Sequence, residues 1–256
     1  MPVETFTKTP REPHAAEAEA AGLRWLAEGT LCIAEVISVT ETTLVTRRYA
    51  PGPATPQAAE EAGRELYAMH SAGASAFGCP PANWEGQNYI GTQPQECTPR
   101  DTWLPFYAEQ RVLPFVRSAV DNGNLAADGA REVERALDVA AAAPASDVEP
   151  NTGPARIHGD LWAGNLLFTT EGPRFIDPAA HGGHPETDLA MLALFGAPQI
   201  ERIFSTYEEV SGLDQGWEAR IPLHQLHPLA VHATTHGPSY GVALVWAARD
   251  VISLFG

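Results

Sequence analysis

Polar and apolar positions along the first fifty residues change period twice. Residues 3–8 read as a strand ending at Lys8. After Pro10 and Pro13, residues 15–27 are dense in Ala, Glu and Leu, which favour helix, and they predict one ending near Gly29. Residues 35–40 and 42–48 alternate β-branched with polar residues on either side of a turn, which predicts a hairpin. The stretch Pro51-Gly52-Pro53-Ala54-Thr55-Pro56 breaks composition and periodicity together. It predicts a boundary between a small unit over 1–50 and a larger one over 51–256.

Beyond that break the pattern is mainly helical. Residues 57–71 carry Ala59, Ala62, Leu66 and Met69 on one stripe at helical spacing. Further helices are predicted over 103–122, 126–143, 187–195, 201–209, 222–233 and 240–254. Residues 73–101 read as loop around the apolar Asn88-Tyr89-Ile90-Gly91, and 144–153 as a linker. No internal repeat is visible. Strands and helices do not alternate, so an α+β fold is expected rather than a doubly wound parallel sheet. It would have a small lobe of strands with one helix, followed by a larger helical lobe.

Composition narrows the partners. With 256 residues, 44% hydrophobic and 19% charged, the chain suits a globule with a substantial core. Lys and Arg number 16 against 32 Asp and Glu, a formal net charge of −16. That argues against nucleic acid or an anionic membrane surface as partner. It leaves ATP open, because Mg²⁺ and a few local cations can carry phosphates. It also suits a cationic substrate, although solubility alone accounts for it. Cys32, Cys79 and Cys97 are far apart and form no C-x-x-C pattern, which argues against structural zinc and a disulfide framework. The first residues lack the basic start and apolar core of a signal peptide, and no run of about 18 apolar residues occurs. A cytoplasmic protein is expected, and oligomeric state has no signal in the chain.

The candidate chemistry lies at His158-Gly159-Asp160-Leu161-Trp162-Ala163-Gly164-Asn165, which has the form H-x-D-L-x-x-x-N, with Asp177 twelve residues further on. Between them, 165–170 reads as a short strand, Glu171-Gly172-Pro173 as a turn and 174–177 as the returning strand. A loop, a hairpin and a second loop would bring Asp160, Asn165 and Asp177 to one edge. This is the layout of a kinase catalytic loop and metal loop. Asp160 would accept the proton of an acceptor hydroxyl, and Asn165 and Asp177 would hold Mg²⁺ against the phosphates of ATP.

Four stretches resemble the fructosamine (ketosamine) kinase family, within the aminoglycoside and choline kinase-like branch of the protein-kinase fold. They are 158–165; the run from Asp177 through His181, His184, Glu186 and Asp188 to Met191; 88–95 leading to Trp103 and Phe106–Arg111; and 19–26. The resemblance implies a two-lobed fold and ATP-dependent phosphorylation of a sugar hydroxyl on a fructosamine or ribulosamine. Kinases of the same fold acting on an aminoglycoside or amino alcohol, or a nucleotide-binding pseudokinase, are the alternatives.

Roles follow from the resemblance residue by residue. Trp162 would form a wall of the sugar pocket, or else be a core tryptophan. His158 would brace the loop. Asp188 would hold the catalytic-loop backbone, with Glu186 also structural. Lys8 would reach the α- and β-phosphates and pair with Glu19, for which Glu17 is the competitor. Arg47 to Tyr49 would be the hinge facing adenine. Kinases of this fold carry two strands and a glycine-rich loop ahead of the lysine strand. Here seven residues precede Lys8 and none is glycine, so either the start is misplaced or truncated, or the small lobe lacks that loop.

His224, His227, His232 and His236 are spaced i,i+3 and i,i+4, which can hold a metal on a helix. Pro228 and Gly237 interrupt the segment, and no carboxylate or Cys sits at ligand spacing. A solvated or substrate-facing helix is therefore expected there. His181 and His184 would either face the cleft or fill a loop.

Overall fold

The structure is a computed structural model describing residues 3–149, 153–214 and 216–256. The expected linker over 144–153 thus lies partly outside the described residues. β1 (Thr5–Lys8), α1 (Ala15–Ala27), β2 (Val36–Val39) and β3 (Leu44–Arg47) come first. β3 is the centre of an antiparallel sheet of order β1-β3-β2, with Lys8 opposite Leu44. α2 (Pro56–Ser71) starts where proline is best tolerated, at the first helical position. Thr55 caps it, its Oγ1 accepting the Ala58 N–H at 3.2 Å.

Within the stretch read as loop lies a hairpin, β4 (Asn88–Ile90) and β5 (Gln93–Gln95). Strands of three residues are too short to show a period of two. α3 (Trp103–Phe106) continues through a π-helical stretch, Tyr107–Val112, into α4 (Leu113–Asp121). α5 (Ala127–Ala142) and α6 (Ala145–Val148) follow. β6 (Ala155–Ile157) leads into the catalytic loop, and β7 (Leu166–Thr169) and β8 (Gly172–Phe175) form the expected hairpin. β9 (His181–Gly183) returns antiparallel to β6, giving a pair with no counterpart in the sequence pattern. The chain ends with α7 (Glu186–Phe195), α8 (Ile200–Ser211), α9 (Ile221–Thr235) and α10 (Pro238–Phe255). None of the described helices is long and apolar enough to cross a membrane.

The helix expected over 222–233 is present as α9, and it runs unbroken through Pro228, which corrects the reading of that proline as an interruption of the histidine segment. Proline lacks an N–H and its ring displaces the carbonyl four residues back. Tyr107, presented by the π-helical stretch, takes up the freed groups. Its hydroxyl is shared between the carbonyls of Leu223 (2.8 Å) and His224 (2.9 Å) and accepts the His227 N–H (3.0 Å). His224 and His227 are consequently buried rather than solvated.

Two apolar cores position the site. One joins α3, α4, α5, α9 and α10 through Trp103, Val133, Leu226 and Leu244. The other joins α1, α2, the β7–β8 hairpin and α7 through Leu23, Leu26, Met69, Phe175 and Leu189. Segment 32–34 runs alongside β8, with Phe175 N donating to Cys32 O and Ala34 N to Phe175 O. The β7–β8 hairpin is thereby held from both sides of the Pro51–Pro56 break.

Candidate active site

The loop after β6 turns on Gly159, whose φ is +78° and where a Cβ would meet Ala179 O at 2.4 Å. The turn delivers Asp160 to the cleft. Asn165 stands at the other end of the loop, its amide nitrogen donating to Asp160 O at 2.7 Å and to Asp160 Oδ2 at 3.2 Å. Asp177 follows the hairpin in the left-handed region, φ +53°, a conformation that Asp tolerates better than most residues. Its carboxylate lies 3.3 Å from Lys8 Nζ, and Lys8 is 2.6 Å from Glu19. The structure therefore brings Lys8, Glu19, Asp160, Asn165 and Asp177 together, and they line one cavity of about 530 Å³.

Electrostatics follow from burial and from this crowding of carboxylates. Burial pushes Asp160 up to about 7; the Asn165 amide opposes that shift, and the charge of Asp177 adds to it. Burial opposes the charge on Lys8, but Glu19 and Asp177 outweigh it and raise the lysine pKa. Burial also pushes Glu19 up to about 7 against the attraction of Lys8. Lys8 is thus the persistent positive charge of the group.

The catalytic loop is held from behind. His158 is buried, its Nε2 donating to Ile176 O at 2.9 Å and its Nδ1 accepting the Asp160 N–H at 3.3 Å. Burial keeps this ring neutral, with its pKa below the ordinary value. Asp188 accepts the His158 N–H at 2.7 Å and the Gly159 N–H at 2.9 Å. Behind it stands His70, which sequence reasoning missed because it sits on α2 beside Met69, where it passes for part of the apolar stripe. His70 Nε2 donates to Asp188 Oδ2 at 3.0 Å, and Tyr207 Oη donates to His70 Nδ1 at 2.8 Å. Burial alone would raise the Asp188 pKa, but the His70 bond and these charges bring it below the ordinary carboxylate value.

Trp162 lies across Gly164, where a Cβ would be 2.4 Å from the indole ring, and it is 43% exposed. It is therefore not a core tryptophan. It lines a second cavity of about 600 Å³ with Phe195, His232, His236 and Tyr240, and Asp160 borders both cavities. His232 and His236 stack 4.8 Å apart, with Tyr240 5.0 Å from His232. This end of the histidine cluster faces the cavity. Phe195 and Tyr240 had no signal in the sequence, since each reaches the cavity only by packing its ring on His232.

Two other candidates stand elsewhere. Arg47 pairs with Glu171 at 2.7 Å, and Tyr49 is flanked by the guanidinium groups of Arg47 and Arg174. Neither residue lines the cavity of Lys8 and Asp160. The backbone just after them is tied to the β7–β8 hairpin, Thr170 N donating to Ala50 O and Gly52 N to Phe168 O. His181 and His184 are both buried and do not face the cleft.

Comparison with known proteins gives this geometry a context. The sequence model of the fructosamine kinase family matches residues 5–253. A probable ketoamine kinase of Thermus thermophilus is 32% identical over 233 residues, 90% of this chain and 80% of the relative. A probable ketoamine kinase of Enterococcus faecium is 33% identical over 168 residues, and the matched stretch spans only 57% of that relative's length. Among solved structures, a Thermobifida fusca protein named for fructosamine-3-kinase superposes with a TM-score of 0.88 at 46% identity, covering 98% of this chain and 86% of its own. The aminoglycoside phosphotransferase APH(4)-Ia, solved with ADP and hygromycin B, shares the fold at a TM-score of 0.59 and 14% identity.

Proposed function

The chain belongs to the fructosamine kinase family, a family of ATP-dependent phosphotransferases, and from that premise we propose that it phosphorylates a sugar hydroxyl of a small ketosamine, a fructosamine or ribulosamine. The observation that carries this proposal is the position of Asp160 at the junction of two cavities. One has Lys8, Asn165 and Asp177 on its wall; the other has Phe195, His232 and Tyr240, and Trp162 borders both.

In this proposal ATP occupies the first cavity, with Lys8 against its phosphates. Asn165 and Asp177 fit Mg²⁺ by their chemistry, since an amide oxygen and a carboxylate are hard oxygen donors. The Asn165 nitrogen is turned to Asp160, which leaves its oxygen as the outward donor. When bound, the ion neutralises phosphate charge. Asp160 orients the acceptor hydroxyl and takes its proton, and His158 and Asp188 keep the loop in place while it does so.

The acceptor cavity refines the expectation of an acidic cleft for a cationic amine. Of the residues lining it, Asp160 is the single acid. The amine's charge would therefore meet the ring faces of Trp162 and Tyr240 rather than a set of carboxylates. Trp162→Ala is expected to raise the acceptor KM about fivefold and leave the ATP KM within about twofold, because one stacked ring is worth about 1 kcal/mol. Steady-state kinetics with each substrate varied in turn would measure this, and an unchanged acceptor KM would count against the assignment.

The pH profile is a second check. Asp160 acts as the carboxylate, and its pKa is pushed up to about 7. Phosphorylation is expected to rise with pH, with an inflection at or below about 7 once cations sit beside it. A flat profile from about pH 5 to 9 would remove Asp160 as the base. The acceptor class is tested by ADP release with fructoselysine and ribuloselysine against aminoglycosides and amino alcohols. Turnover with only the latter would assign the chain to another acceptor.

A further inference from the structure

A second cluster of ligating side chains lies apart from the phosphate site. His184 and Glu186 stand at the start of α7, and α9 brings His224 against them. All three are buried, and one ligand atom from each lies within 4.8 Å of the others. The sequence offered no carboxylate at ligand spacing on α9; the fold supplies one from another segment.

The arrangement of His224 is the informative part. Its Nδ1 is 3.1 Å from Thr187 Oγ1. Its Nε2 has no hydrogen-bond partner of good geometry among the described residues and lies 3.4 Å from Glu186 Oε2. In the tautomer whose Nδ1–H donates to Thr187, Nε2 turns a lone pair to the Glu186 carboxylate, and a cation between them would satisfy both; in the other tautomer Nε2–H faces that oxygen. A separation of 3.4 Å is also about the edge of a tetrahedron built on metal–ligand bonds of roughly 2.0–2.1 Å.

The neighbouring contacts suit ligands held from outside. Arg220 donates from Nε to Glu186 Oε2 at 2.9 Å and from Nη2 to Oε1, orienting the carboxylate. Thr187 orients His224 in the same way. His184 Nδ1 accepts the Glu186 N–H at 3.2 Å, which fixes the ring beside the carboxylate and leaves Nε2 as its other ligand atom. A cavity of about 300 Å³ bordered by His184, Glu186 and Arg220 provides access.

We propose that His184, Glu186 and His224 bind one Zn²⁺, which pins the start of α7 to α9. Two imidazoles with one carboxylate select zinc over the magnesium expected at the phosphate site. Asp188 lies two residues beyond Glu186, so the ion steadies the helix that holds the catalytic loop.

The test uses the full chain, stripped with a chelator and kept in excess Mg²⁺ so that the carboxylates of the cleft are covered. Co²⁺ titration is expected to give one equivalent with the intense visible absorption of a tetrahedral site. Zn²⁺ should then displace it and raise the melting temperature. Glu186→Gln should weaken binding about tenfold or more, while His236→Ala, which breaks the accessible imidazole pair, leaves it intact. If Glu186→Gln does not fold, His184→Asn replaces it, and the wild-type stoichiometry and spectrum decide independently of either variant. No tetrahedral spectrum and no thermal shift with equimolar Zn²⁺ would overturn the proposal. So would a spectrum that survives Glu186→Gln and is lost in His236→Ala.

Discussion

Asp160→Asn is expected to lower kcat for phosphoryl transfer by about 10²–10⁴-fold and to leave ATP affinity within about twofold. The amide keeps the shape of the carboxylate and its contact with Asn165, but cannot take the hydroxyl proton. The same substitution is expected to stabilise the fold. Burial raises the Asp160 pKa to about 7 from the ordinary 3.8. Between those values the folded state holds a proton that the unfolded chain releases. Stability is therefore lost as pH rises through that window, and the full penalty is present above about 7. Removing the charge should raise stability at pH 8 by roughly 1–3 kcal/mol after solvent screening, and the gain should shrink toward pH 4. Melting curves of both proteins across that range, alongside single-turnover kinetics, would show it. A variant that is equally stable at every pH contradicts the burial of this charge, and one that retains full kcat contradicts its role as base.

Asp188→Ala is expected to be the most damaging single change to the fold. The carboxylate accepts from His158 N, Gly159 N and His70 Nε2, all buried. Its loss strands three donors away from water, at a cost of about 3–5 kcal/mol. Activity should fall with it, because the first two donors belong to the turn that presents Asp160. Urea midpoints report the stability, and hydrogen exchange at the Gly159 and Asp160 amides reports the loop. An unchanged midpoint would show that the loop is held by other contacts. The native carboxylate also leaves a signature in acid. Its pKa lies below the ordinary value, so its stabilising contribution is present above about pH 4 and lost as pH falls through the folded pKa.

What could be read from the chain follows the range of each interaction. Asp160, Asn165 and Asp177 were legible because the segment between them is one loop and one hairpin, so local turn chemistry brings them together. α1 and α2 were legible from composition and one apolar stripe. The β6–β9 pair was not, since three-residue strands joined across the whole catalytic hairpin have no local period. His70 could not be told from a core residue, because its partners Asp188 and Tyr207 are more than a hundred residues away. The histidine cluster shows the same limit. Its spacing marked one helix, but packing divides it, with His224 joined to Glu186 and His184 in the interior and His232 and His236 at the acceptor cavity. Pro228 misled for a related reason: the residue that repairs the helix around it, Tyr107, comes from a different part of the chain.

The most direct measurement is mass spectrometry of fructoselysine and ribuloselysine incubated with the full chain and Mg·ATP. The expected result is one phosphoryl group on the sugar of at least one of them, with stoichiometric ADP and no product from Asp160→Asn. Nucleotide bound without any phosphorylated ketosamine, or product formed equally well by Asp160→Asn, would contradict the assignment of this site.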